Sequence, residues 1–184
     1  MVLLSYDNII IERTDFLMEF KEFDLLSADV NPFKLIGKDW TLITSGDETA
    51  FNTMTASWGG MGVMWGKNVV ECVIRHSRHT INFMEQNELF TLSFFSEEYR
   101  DALKFCGSHS GRDFDKAKET GLVPWYTDGT VAFEQADLVL VCKKLYAQDM
   151  DTNLFADKNC LKWYEDNDIH KAFVGEIVKA YKKQ

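Results

Sequence analysis

Five runs of β-branched and aromatic residues are spaced along this chain with only short, irregular helical stretches between them. They are Trp40–Thr44 (WTLIT), Val69–Ile74 (VVECVI), Phe90–Phe95 (FTLSFF), Ala136–Tyr146 (ADLVLVCKKLY) and Gly175–Tyr181 (GEIVKAY). Such composition reads as strands. Parallel pairing demands a regular crossover of about a dozen residues, usually one helix, between each pair of strands. The helical stretches between these runs are mostly short and irregular rather than one regular helix per crossover, so the pattern favours an antiparallel barrel with appended helices over a repeated β-α-β sheet.

Three helices are expected beside the strands. Asn31-Pro32 places a capping residue before a proline at the first helical position, with an end near Gly37. Ser77 can cap a helix reaching Asn87, with Ile81 and Met84 on one face. Ser96 can cap a third, with Glu97 and Glu98 in its first turn and Tyr99, Ala102, Leu103 and Cys106 on its apolar face; Gly107 then stops it. The segment Met1–Asp15 fits none of these and is treated as an N-terminal extension to one domain over 16–184. A chain of 184 residues, 46% hydrophobic, supplies one core of real size, and only Pro32 and Pro124 punctuate it, so no linker divides it.

Charge narrows the partners. The net charge of −9 repels nucleic acid and anionic lipid over most of the surface. No apolar run approaches the roughly 20 residues that cross a bilayer. No signal-like stretch follows Met1, and Cys72, Cys106, Cys142 and Cys160 are widely spaced, which fits small buried hydrophobes in a reducing cytoplasm.

Against this acidic background, positions 75–79 read Arg-His-Ser-Arg-His. With Ser77 as a cap, Arg78 and His79 fall where a helix N-terminus disfavours cations, and a bound anion reverses that cost. Arg75, Arg78 and the hydroxyls of Ser77 and Thr80 form a fitting monoester phosphate cradle, because a guanidinium presents a planar fork to phosphate oxygens. The competing reading is that these charges point to water or pair with surface carboxylates, and the two stay open. A zinc site from His76, His79, Cys106 and His109 matches no common ligand spacing.

Asn52–Gly66 (NTMTASWGGMGVMWG) reads as a binding loop: its glycines admit close backbone approach, and Thr53, Thr55 and Ser57 offer hydroxyl and N–H groups to a ring edge. Trp65 stands where a dinucleotide fingerprint needs its third glycine. The alternative is a barrel strand with a tight turn, with Met54, Ala56 and Trp58 facing the core. Cys106–Lys116 (CGSHSGRDFDK) reads as a polar loop, either spacer or lid. The 14% aromatic content leaves material for flat, stacking surfaces.

Together these segments resemble the flavin reductase-like, FMN-binding split-barrel family, and its flavoredoxin-like branch in particular. The resemblance runs through ADVNPFKLIGKDWTLIT, NTMTASWGG, VIRHSRHT, CGSHSGRDFDKAKETGL, ADLVLVCKKLYAQDM and HKAFVGEIVKA, in the family's order. It implies a mainly β, six-stranded antiparallel Greek-key split barrel with appended helices, assembled as a homodimer with one FMN per subunit. It assigns Asn52, Thr53, Met54, Thr55, Ala56, Ser57 and Trp58 to the ring and ribityl chain, and Arg75, Ser77, Arg78 and Thr80 to the phosphate. His109, Ser110 and Lys116 complete the site. His76 stands where relatives often carry proline. The activity implied is electron transfer from NADPH or NADH to flavin, and on to a small molecule or partner protein. The alternatives are a non-enzymatic FMN electron carrier and a non-catalytic dimer.

Overall fold

The computed structural model describes residues 20–27 and 29–184; the segment read as an extension, 1–15, lies outside them. Among the described residues one antiparallel sheet dominates. Its strands are β1 (Phe20–Glu22), β2 (Thr41–Gly46), β3 (Phe51–Ala56), β4 (Gly59–Met64), β5 (Lys67–Arg75), β6 (Leu89–Phe94), β9 (Leu138–Asp149) and β10 (His170–Lys183). A separate hairpin, β7 (Pro124–Thr127) with β8 (Thr130–Phe133), lies between β6 and β9 in sequence. The helices are α1 (Thr80–Gln86), α2 (Arg100–Ser108) and α3 (Lys116–Thr120).

The pairing path is β3-β2-β6-β9-β10-β5-β4, with β1 added on β10. β3 and β4 stand at opposite ends of that path, yet only Ser57 and Trp58 separate them in the chain. The sheet must therefore curl until its two edges meet, which makes a barrel split at one seam. This is the split barrel the sequence implies, with seven strands on the path rather than six.

Alternation fills it. Phe90, Leu92 and Phe94 of β6, Val70, Cys72 and Ile74 of β5, and Leu138, Leu140 and Cys142 of β9 share one buried cluster inside. Val139 and Val141 of β9 point the other way, into a second cluster with Leu103, Cys106 and Phe133 beneath α2 and the hairpin. A strand covered on both faces loses its polar alternation, which is why 138–142 reads as one continuous apolar run.

Two sequence expectations change here. The stretch 52–66 is not a loop: it is β3, the elbow Ser57–Trp58, and β4, as the barrel-strand alternative had it. Met54 and Ala56 are core residues, while Trp58 is 37% exposed and faces the seam. Asn31 does act as a cap, its Oδ1 accepting from the Lys34 N–H at 3.1 Å, but the turns that follow are π-helical and run to Asp39.

The elbow depends on Gly59. Its φ is +150°, and a Cβ there would lie 2.3 Å from the Glu71 carbonyl oxygen. Gly59→Ala is expected to cost about 2–5 kcal/mol from strain and overlap together. Gly60→Ala, with nothing within 4 Å of the added atom, is expected to cost far less. Denaturant unfolding of the two variants checks this, and equal losses would remove the elbow from the closure.

Candidate functional site

Closure at Ser57–Trp58 leaves a cleft of about 500 Å³, lined by Met54, Thr55, Ala56, Ser57, Trp58, Val73, Arg75, Arg78, Gly107, Trp163 and His170. Three connections converge on it: the turn after β5, the C-terminal end of α2, and the crossover 150–169 from β9 to β10. Seven of the fourteen residues assigned from sequence are in the lining. Because β3 ends the pairing path, its outer backbone edge is free to face a ligand.

The basic island takes a different shape from the one expected. The Arg78 N–H donates to the Arg75 carbonyl at 3.0 Å and closes a turn, and α1 begins only at Thr80. Ser77 does not cap it. The Asp168 carboxylate accepts from the Ser77 N–H at 3.1 Å and from its hydroxyl at 2.5 Å, so the capping group is spent across the chain. Arg78 and His79 thus precede the helix, His79 as its N-cap residue, with their carbonyls accepting from the Ile81 and Asn82 N–H groups at 3.1 and 3.2 Å.

Arg75 follows the alternative left open, pairing with carboxylates. Its Nη1 donates to both Asp166 oxygens at 3.0 and 2.9 Å and to the Asp168 carbonyl at 3.1 Å, and its Nη2 donates to the Trp163 carbonyl at 2.6 Å.

Arg78 differs. It is half-buried, and among the described residues it makes no ion pair and its guanidinium makes a single, long hydrogen bond, from Nη2 to the Cys106 carbonyl at 3.4 Å. Burial lowers its pKa, with Asp168 acting weakly in the opposite direction. The same Cys106 carbonyl accepts from Lys116 Nζ at 2.8 Å, and Lys116 donates equally to the Thr53 carbonyl. Lys116 is 5% exposed, and burial, helped by neighbouring Arg78, pulls its pKa down to about 8, against a weaker upward pull from the Cys106 thiol. Two cations separated by one carbonyl oxygen, with no carboxylate between them among the described residues, repel each other unless an anion joins them.

The remaining assigned residues support these from below. The Asn52 amide, buried, donates to Thr80 Oγ1 at 2.7 Å. Gly111 packs so closely over it that a Cβ would fall 1.8 Å from Asn52 Oδ1. The Thr53 hydroxyl meets Thr44 Oγ1 at 2.9 Å, and that of Thr55 donates to the Leu103 carbonyl. Gly107 does not stop α2, which starts at Arg100 and runs to Ser108; Gly107 lets the helix lie on Thr55. Ser96 stands at the N-cap of the 3-10 turn Glu97–Tyr99 that leads into α2, but its hydroxyl donates to the Glu98 carboxylate and caps no backbone N–H. His109 and Ser110 lie outside the lining: the His109 ring stacks on Phe105 at 4.0 Å, and Ser110 shapes the next turn.

Trp163 and His170 were not assigned from sequence. Trp163 sits in a connection with no strand or helix signal. His170 opens β10, a few positions before the apolar run that marks the strand. Its Nδ1 shares a 2.9 Å hydrogen bond with the Tyr164 hydroxyl, and its ring lies 5.2 Å from Trp58. Burial first, then Arg75, lowers its pKa from 6.5 to about 4, against weaker upward pulls from Asp168 and Asp166. Between pH 6.5 and 4 the unfolded chain therefore takes up a proton that the folded one refuses, so stability falls as pH drops through that window. After discounting for solvent screening the loss is about 1–2 kcal/mol. Denaturation midpoints at pH 7 and 5 measure it, and His170→Gln should remove that part of the difference.

The sequence profile of the flavin reductase like domain matches residues 34–184. The chain belongs to that family. Solved structures place the family fold on firm ground. The flavoredoxin from Methanosarcina acetivorans superposes with a TM-score of 0.64 at 20% identity, over 79% of this chain and 69% of that one. The FMN-binding domain of a flavin reductases-like enzyme from Shewanella baltica gives 0.65 at 17%, over 90% and 78%. The NADH:FAD oxidoreductase of Streptomyces globisporus gives 0.59 at 17%, over 78% and 75%. No curated protein matches this family member in sequence. Among its described residues no helix is long and apolar enough to cross a membrane.

Proposed function

We propose that this flavin reductase-like chain binds FMN in the seam cleft and works as a flavin-dependent oxidoreductase, taking electrons from NADPH or NADH and passing them to a small molecule or a partner protein. One observation carries the flavin: Arg78, in the lining of a cleft bordered by Trp58, meets the buried Lys116 on the Cys106 carbonyl oxygen, and neither makes an ion pair among the described residues. A monoester phosphate supplies the missing charge, and the cleft volume falls within the roughly 300–1,000 Å³ typical of cofactor sites. The residues present fit the group.

Bound flavin supplies the redox chemistry, accepting a hydride and releasing one or two electrons. The protein's share is to bind and orient. Arg78 and Lys116 hold the phosphate, with Thr80 and Asn52 fixing the ground beneath them. The free edge of β3 from Met54 to Ser57 offers backbone N–H groups, since the Thr53 and Thr55 hydroxyls are already spent inside the protein. Trp58 borders the ring.

The reductant is tested by mixing the flavin-loaded protein anaerobically with NADPH and then NADH. Bleaching of the visible flavin band within seconds, with turnover, supports the reductase. A flavin that binds and stays oxidised under both leaves the electron carrier in its place.

The same reading includes a homodimer in a reducing cytoplasm. Trp65, Tyr146, Leu154 and Met64 are exposed around one apolar groove, a surface that a second copy would cover. Trp65→Glu should then shift the mass measured by light scattering to that of the monomer.

A further inference from the structure

The crossover 150–169 joins β9 to β10 without a strand or α-helix of its own, and it is ordered by its own chemistry. Asp151 and Asp157 each cap a 3-10 turn by accepting a backbone N–H two residues on, from Asn153 at 2.8 Å and from Asn159 at 2.9 Å. Its later part carries Glu165, Asp166 and Asp168 onto the basic island. There Arg75 grips it at three points, the Asp166 carboxylate and the carbonyls of Trp163 and Asp168, and Ser77 takes the Asp168 carboxylate. The Arg75 guanidinium also lies 5.6 Å from the centre of the Tyr164 ring.

What this clamp holds is an indole. Trp163 stands edge-on to Trp58, ring centres 5.3 Å apart and planes at 85°, and both line the cleft. Yet Trp163 remains 53% exposed. Fixing a large aromatic side chain by its own backbone while leaving half of it in water has little value to the fold alone. It suits a surface kept in place for a flat ligand.

Resting on the flavin reading above, we propose that the crossover is a wall of the cofactor cleft, with Trp163 as the residue on it that selects a planar ring and Arg75 as a positioning residue that seats Trp163. The phosphate then falls to Arg78 and Lys116, and the clamp stays closed when FMN is bound. The opposite arrangement makes the two carboxylates stand-ins for the phosphate, so that FMN must displace them from Arg75 and Ser77. The two arrangements differ in sign.

The test is FMN titration of the full chain and its variants, followed by flavin absorbance, with thermal unfolding run beside each. Trp163→Ala, Arg75→Gln and the double change Asp166→Asn with Asp168→Asn should each raise the FMN Kd at least fivefold, while Trp163→Phe and Arg75→Lys keep most of the affinity. FMN binding that tightens when the two acids are neutralised overturns the proposal, as does a Kd unchanged within twofold in Trp163→Ala. A second measurement needs no flavin. Arg75→Gln should increase iodide quenching of tryptophan fluorescence, and should not do so in a Trp163→Phe background; equal quenching with and without Trp163 also overturns it. Should the parent chain bind no FMN while this second result holds, the flavin reading fails and the seating of Trp163 by Arg75 stands.

Discussion

Replacing Arg78 by alanine is expected to weaken FMN binding by about 1–3 kcal/mol, roughly five- to a hundredfold in Kd, the scale of a charge-assisted hydrogen bond. The flavin-free protein should not lose stability in proportion. Arg78 is half-buried, bonds one carbonyl at 3.4 Å and has no carboxylate partner among the described residues, so its removal relieves desolvation and repulsion from Lys116. Titration of flavin-free protein gives the first number and denaturant unfolding the second. A large stability loss with an unchanged Kd would make Arg78 a structural residue.

Lys116 should give the binding its pH dependence. Its ammonium is held near the limit of retention, titrating at about 8 instead of 10.5 because it is buried beside Arg78. The flavin phosphate is dianionic above about pH 6 and favours the charged ammonium, so binding raises that pKa. Above pH 8 binding must then take up a proton, and affinity falls with rising pH by up to about tenfold per pH step until the bound-state pKa is reached. Below pH 8 the curve is flat as far as Lys116 is concerned. Lys116→Met should bind more weakly throughout and show no break at pH 8. An affinity that is level from pH 7 to 10 in the parent chain would place Lys116 away from the phosphate.

The two cations differ in how visible they are in the sequence. Arg78 announces itself as part of a basic island in an acidic chain. The function of its neighbours does not, because Arg75 and Ser77 are claimed by Asp166 and Asp168, some ninety positions away, and no local pattern reports a partner at that distance. Lys116 is found only through the family resemblance: a lone lysine in CGSHSGRDFDK reads as solvent-facing, and its burial against two carbonyls is a product of how α2 meets β3.

The strands show the same division. β2, β5, β6, β9 and β10 are legible because their apolar faces are dense. β3 and β4 are legible only as the alternative to a loop, since Thr and Asn in β3 and three glycines in β4 dilute their apolar faces. The hairpin β7–β8 carried a signal that composition hid: Asp128-Gly129, both at positive φ, is the preferred two-residue turn between antiparallel strands. Trp65-Gly66 makes the corresponding turn between β4 and β5 with a residue that rarely adopts that conformation, so its sequence gives no warning.

The seam cleft as a flavin site is tested most directly by titrating the purified, flavin-free chain with FMN at micromolar protein while following flavin fluorescence, in the parent chain and in Arg78→Ala. Saturable quenching at one FMN per chain, shifted to higher concentration in the variant, is the predicted result. Fluorescence that rises linearly with added FMN, without quenching, would contradict it.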